Sequence, residues 1–134
     1  SVLRVVKLMV NEGLPGVIIV DGENKPQYVV PDSQVLSLML AQYSDDSALV
    51  RTIDEASADK FWSGMGTRSI GDCLKLRLDE AKLVKVPADA TVLEVASALS
   101  KARSALIAVV DDRGKLTGCI TLNGLLTAVA LPYL

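Results

Sequence analysis

Apolar and polar positions follow two rhythms along this chain, and the same order of rhythms occurs twice. In the later occurrence, Leu83-Val84-Lys85-Val86 alternates weakly and stops at Pro87, which predicts a short strand. Thr91-Val92-Leu93-Glu94 has the form of a capping box, with Thr91 accepting from helix amides and Glu94 reaching back. The helix that follows sets Val92, Val95, Ala96 and Leu99 on one face. Leu106 to Val110 is an unbroken run of small aliphatic residues, predicting a strand buried on both faces. Asp111-Asp112-Arg113-Gly114 predicts a turn with Gly114 free to adopt positive φ, and Leu116 to Thr121 is the hairpin partner. Thr121 or Asn123 can cap a last helix that carries Leu125, Leu126 and Val129.

The earlier occurrence runs in the same order. Ser1 caps a helix with Val2, Val5, Val6 and Met9 inward, ending near Gly13. Val17 to Val20 is a buried strand, Gly22-Glu23-Asn24 a turn, and Gln27 to Val30 the return strand. Asp32-Ser33 caps a helix with Val35, Leu36, Met39, Leu40 and Tyr43 on its apolar positions. No counterpart of strand 83–86 precedes this copy. Residues 44–82 connect the two, with helical character from Asp54 to Trp62, a break at Ser63-Gly64-Met65-Gly66, and a further helical turn at Ile70 to Leu74. The aromatic pair Phe61-Trp62 is expected to fill a core or a subunit contact.

Laid on one another without a gap, residues 1–36 fall on 91–126. Val2, Leu3, Val5, Val20, Asp21, Lys25 and Leu36 meet Val92, Leu93, Val95, Val110, Asp111, Lys115 and Leu126. A repeat of one supersecondary unit implies two half-modules that bury their apolar faces against each other.

Composition narrows the function. Of 134 residues, 50% are hydrophobic and the formal net charge is −2, so the basic stripe of a nucleic-acid footprint is missing. No apolar run reaches the roughly 18 residues of a spanning helix, so direct membrane insertion is not expected. Two cysteines without tight spacing suit reduced thiols, and a cytoplasmic location is expected. Cys73 and Cys119 are expected as small core residues. The chain has no histidine, which removes imidazole catalysis and His-ligated metal sites. The adjacent carboxylates Asp45-Asp46, Asp79-Glu80 and Asp111-Asp112 suit solvated turns, since no Asp-x-Asp-x-Asp-Gly loop is present. Gly13-Leu14-Pro15-Gly16 lacks the Gly-Lys-Ser/Thr of a phosphate-binding loop. No catalytic constellation is found, no metal site and no cofactor are expected, and an enzyme is not predicted.

The tandem β-α-β-β-α order, with Val109-Val110-Asp111-Asp112-Arg113-Gly114-Lys115-Leu116-Thr117-Gly118-Cys119-Ile120-Thr121 as its best stretch, resembles the CBS domain. The pair resembles a Bateman module, and Ile70 to Leu74 is similar to the short helix that leads into such a unit. The resemblance implies an α/β (α+β) fold of two pseudo-symmetric units packed sheet to sheet, the first lacking its initial strand. Residues 1–43 would form the first unit, 44–82 a connector and 83–134 the second. It also implies a regulatory role: binding an adenosine-type ligand such as AMP, ATP or S-adenosylmethionine in the inter-unit cleft, and control of an attached or partner enzyme or transporter.

The family places ribose and phosphate contacts on Gly-x-x-Thr-x-x-Asp, where a carboxylate accepts from both ribose hydroxyls and helix amides face a phosphate. The second copy retains Gly118 and Thr121 but has Gly124 at the Asp position; the first has Pro31 for Thr and Gln34 for Asp. Losing that carboxylate costs on the order of 1.5–3 kcal/mol of charge-assisted hydrogen bonding. The resemblance therefore assigns the ligand to Gly118, Thr121 and Asn123, with the backbone of Val84, Lys85 and Val86 along the adenine. Lys82, Lys85 and Arg68 are the nearby cations in sequence, and a ligand with few phosphates is expected to beat ATP. The alternative is a structural or dimerisation module whose nucleotide sites have decayed. A homodimer is expected in either case, through Val35, Met39, Leu40, Leu126 and Val129 with Phe61-Trp62 nearby.

Overall fold

The computed structural model describes residues 1–40, 54–64, 68–76 and 83–133. Expectations placed on Tyr43, Asp45-Asp46, Met65-Gly66, Asp79-Glu80, Lys82 and the Phe61 side chain lie outside the described residues. The chain clusters into two compact units: Ser1–Leu14 with Ser33–Glu80, and Pro15–Asp32 with Ala81–Leu134. Compaction thus gathers the strands of both copies into one unit and leaves the first copy's helical segments in the other.

The first unit is helical among its described residues. Helix α1 (Val2–Glu12) starts at Ser1, whose hydroxyl accepts from the Arg4 amide at 3.3 Å, and ends at Gly13 in the left-handed region. Val2 and Met9 are buried, as the apolar spacing predicts, while Val5 and Val6 are only half-buried. The Val2 amide donates to the Arg68 carbonyl at 2.9 Å. Helix α2 (Asp32–Met39) buries Val35 and Met39. Helix α3 (Glu55–Gly64) runs two residues into the expected break, and Asp54 starts it by accepting from the Ser57 amide at 2.7 Å. That bond holds the Asp54 carboxyl below its ordinary value. Helix α4 (Ile70–Leu76) buries Cys73 completely, and this burial pushes its thiol pKa up.

The second unit holds the sheets. Strands β1 (Gly16–Val20) and β2 (Pro26–Pro31) pair antiparallel as a two-stranded sheet. Strands β3 (Lys85–Pro87), β4 (Leu106–Val110) and β5 (Leu116–Thr121) form the other, in the order β3-β4-β5. Helix α5 (Val92–Ala102) makes the parallel crossover from β3 to β4, and helix α6 (Leu122–Ala130) follows β5 directly.

Each expected strand forms, with shifted details. The first strand of the second copy covers 85–87 rather than 83–86. Pro87 sits inside it because β3 is an edge strand, where a missing amide hydrogen removes no ladder bond on the open side. Strand β4 is buried on both faces as predicted, but β1 is only half-buried, since a hairpin of two strands offers little cover.

Alternation along β4 divides the core in two. Ile107 and Val109 face α5 and α6, with Val86, Val95, Leu99 and Leu125. Leu106 and Ala108 face the hairpin and pack with Val29, while Ile18, Val84, Ala105 and Leu116 close the edges. Val92, expected on the inner face of α5, is 60% exposed, since it lies in the first turn ahead of the stripe that Val95 and Leu99 bury. Leu126 and Val129 likewise stay on the outer side of α6, and only Leu125 is buried.

Local hydrogen bonds recur at the spacing of the sequence pattern. Asp21 accepts from the amides of Glu23 and Lys25, and Asp111 from those of Arg113 and Lys115, at 2.8–3.0 Å. Both carboxyls are held below the ordinary aspartate range, chiefly by the Lys25 and Lys115 amides respectively. Asn24 and Gly114 take positive φ at matching places in the two turns. Both hairpins carry a register shift just before the turn, between Ile19 and Val20 and between Val109 and Val110.

Candidate functional site

The junction of β5 and α6 carries Gly118, Thr121 and Asn123, three of the six residues assigned to ligand binding. Thr121 ends β5 in an extended conformation and its hydroxyl accepts from the Gly124 amide at 3.0 Å, so Thr121, not Asn123, caps the helix. That bond uses an oxygen lone pair and leaves the hydroxyl hydrogen available to an acceptor outside the chain. Two of the first three helix amides are occupied. Leu122 N donates to the Ala105 carbonyl at 2.7 Å and Gly124 N to Thr121, while Asn123 N has no partner among the described residues. Asn123 itself is exposed at the first turn.

The six assigned residues share one sheet and its helix junction, but not one face. Gly118 pairs with Val109, which pairs with Val86, so these line up across the side covered by α5 and α6. Lys85, Ala108 and Cys119 form the next row, and Leu106 and Thr121 stand opposite each other nearer the helix. Thr121 and Lys85 therefore lie on the hairpin side. The Val86 side chain is 7% exposed and belongs to the core under the helices. Val84 is half-buried, packs on both clusters, and its carbonyl already accepts from Ala108 N at 3.0 Å. Gly118 is exposed; its φ is not positive and an added Cβ would meet nothing within 4 Å. Neither conformation nor internal packing explains a glycine there. Arg68, the other cation named from sequence, belongs to the helical unit.

Cys119 corrects the sequence expectation. It is exposed on β5, an outer strand whose middle residues Thr117, Gly118 and Cys119 are all exposed. At the corresponding place in the first copy, the Asp32 amide donates to the Pro15 carbonyl at 2.9 Å, as Leu122 does to Ala105. Pro31 brings no hydroxyl to that junction, and Asp32 adds a negative charge in the first turn of α2.

Concave space lies elsewhere. An open apolar groove of about 510 Å³ runs between α5 and α6, lined by Ala96, Leu99, Ser100, Arg103, Ser104, Ala105, Leu122, Leu125 and Leu126. It contains none of the six assigned residues. Helix packing creates it, and periodicity alone carried no signal for it. Among the described residues, no group of three or more His, Cys, Asp or Glu side chains could hold a metal ion, and no helix is long and apolar enough to cross a membrane.

Comparison with known proteins decides the family. The CBS domain family model matches residues 77–131. A CBS domain-containing protein of unknown function from Kribbella flavida is 34% identical, with a TM-score of 0.71 over 96% of this chain and 86% of its own. The chain belongs to the CBS-domain family. Two further structures share the fold of this CBS protein. CBSX2, solved in complex with AMP, is 20% identical, with 98% of this chain and 83% of that one covered and a TM-score of 0.64. The CBS domain pair of protein MJ0100, in complex with 5′-methylthioadenosine and S-adenosyl-L-methionine, is 16% identical, with the same coverage and a TM-score of 0.65. No curated protein matches the chain.

Proposed function

We propose that this CBS-pair protein is a regulatory, non-catalytic module that senses an adenosine-type ligand at the β5–α6 junction and controls an attached or partner protein. The observation that carries the reading is the junction itself. Thr121 keeps a hydroxyl hydrogen to give, Gly118 leaves the strand bare where nothing internal requires it, and the exposed Asn123 brings an amide and a carboxamide. The solved complexes of CBSX2 with AMP and of MJ0100 with 5′-methylthioadenosine and S-adenosyl-L-methionine supply the ligand class. Regulation follows if ligand binds one arrangement of the module better than another, by as much as that difference in affinity. With one helix amide left over and Gly124 in place of a carboxylate, adenosine, AMP or S-adenosylmethionine should beat ATP.

A melting screen against adenosine compounds tests this. Ligand at a hundred times its dissociation constant should stabilise the fold by about 2.7 kcal/mol. No shift at millimolar ligand sinks the sensing role, and a shift that survives Thr121→Ala unchanged moves the site elsewhere.

The second reading is a structural, dimerising module. It draws on the occupied amides of Leu122 and Gly124 and on the exposed apolar positions of α6, where Leu126 is 57% and Val129 48% exposed. Val35 and Met39, counted for that contact from sequence, are buried and offer it little surface.

A further inference from the structure

When residues 1–36 are laid on 91–126, Gly16 falls on Leu106, and in the structure these two residues meet. A Cβ on Gly16 would lie 2.6 Å from the Val30 carbonyl oxygen, 2.7 Å from Leu106 Cδ2 and 2.9 Å from Pro31 Cα. Carbon atoms in favourable contact stand about 3.5–4.0 Å apart, so not even a methyl group fits. Gly16 does not have positive φ; the glycine is needed for space, not for conformation. Leu106 is 3% exposed and fills the space with Val29 and Ala108 around it. One copy supplies the knob and the other the hole.

A second contact is one-sided in the same sense. The Leu116 amide donates to the Asn24 carbonyl at 2.8 Å, and the Asn24 carboxamide donates back to the Leu116 carbonyl at 3.1 Å. The sequence pattern matches Asn24 with Gly114 and Leu116 with Pro26. The reverse pair cannot form: Pro26 has no amide hydrogen and Gly114 no carboxamide.

We infer that these contacts key the sheet face of Leu106, Ala108 and Leu116 to the β1–β2 hairpin of the same chain, and that this face rejects a second copy of the three-stranded sheet. In such a self-pairing, Leu106 would stand where Gly16 stands, against a partner Leu106. Gly114 would replace Asn24 and offer a carbonyl alone. Association of two chains must therefore use another surface.

Two measurements on the full chain, both in a Cys119→Ser background, test the key. In a double-mutant cycle, Leu106→Ala should shift the denaturation midpoint less when Gly16→Ala is present than when it is not, because the added methyl has lost its nearest side-chain obstacle. Equal shifts overturn the knob and hole. Where Gly16→Ala leaves no folded protein to measure, oxidation of designed thiols decides. Asn24→Cys with Leu116→Cys should give a disulfide within one chain, and Leu116→Cys alone should give no covalent dimer. A covalent dimer from the single variant, or no internal bond in the double variant, overturns the proposal.

Discussion

Thr121 caps α6 and is also the ligand contact proposed above; Thr121→Ala removes the hydroxyl for both, so the conservative variant matters. Removing its hydroxyl leaves the Gly124 amide uncapped, and Thr121→Ala should cost about 1 kcal/mol in denaturant unfolding. Thr121→Ser should recover most of that loss, since the accepting oxygen returns. A destabilisation absent in both variants would mean that the cap contributes nothing. The turn aspartates make a statement about acid. Amide donors hold Asp21 and Asp111 below the ordinary carboxylate value, so the unfolded chain takes up protons first. Their contribution is complete above the unfolded value, about 4, and is lost as pH falls through the lower folded value. The melting temperature should fall with acid below that range, and Asp111→Asn should flatten the fall.

At the scale of elements, helix ends show where the two copies diverge under one plan. Gly13 ends α1 with φ 62, whereas Arg103 ends α5 with φ 50, a left-handed conformation that costs a residue with a Cβ roughly 1–2 kcal/mol. Arg103→Gly should raise stability by up to about 1 kcal/mol in a melt, the remainder being offset by the greater freedom of glycine in the unfolded chain. A loss of stability would show that the Arg103 side chain contributes more at the groove mouth than its backbone strain costs. The capping box of α5 closes only on its forward side among the described bonds: Glu94 N donates to Thr91 at 3.2 Å. The exposed first turn of α5, with Val92 and Leu93 outward, is the other departure from the apolar stripe.

For the whole molecule, the exposed apolar positions of α6 set the expectation. We expect light scattering at micromolar concentration to give twice the mass of the 14.2 kDa chain. Leu126→Glu with Val129→Glu should return it to one chain with its fold kept, because both side chains point away from the core. A single-chain mass for the unsubstituted protein would count against the dimer and against the structural reading that depends on it.

Order and kind of element were determined by the sequence itself. Strand, turn, strand and helix follow from the run at Leu106–Val110, the Asp-led turns and the Thr91 and Thr121 caps, all interactions within a few residues. Gly118 and Thr121 were assigned through the family resemblance, which matches a motif within one local segment. Only tertiary structure decided which face each residue shows. Cys119 is exposed and Val86 buried because β5 and β3 are outer strands whose cover depends on distant helices and on the hairpin. Gly16 shows the limit best. Its neighbours in sequence suggest a flexible turn, but its reason is the close approach of the Val30–Pro31 backbone and of Leu106, which no local pattern places against it. Periodicity reports the side a residue prefers, and close packing then decides what that side meets.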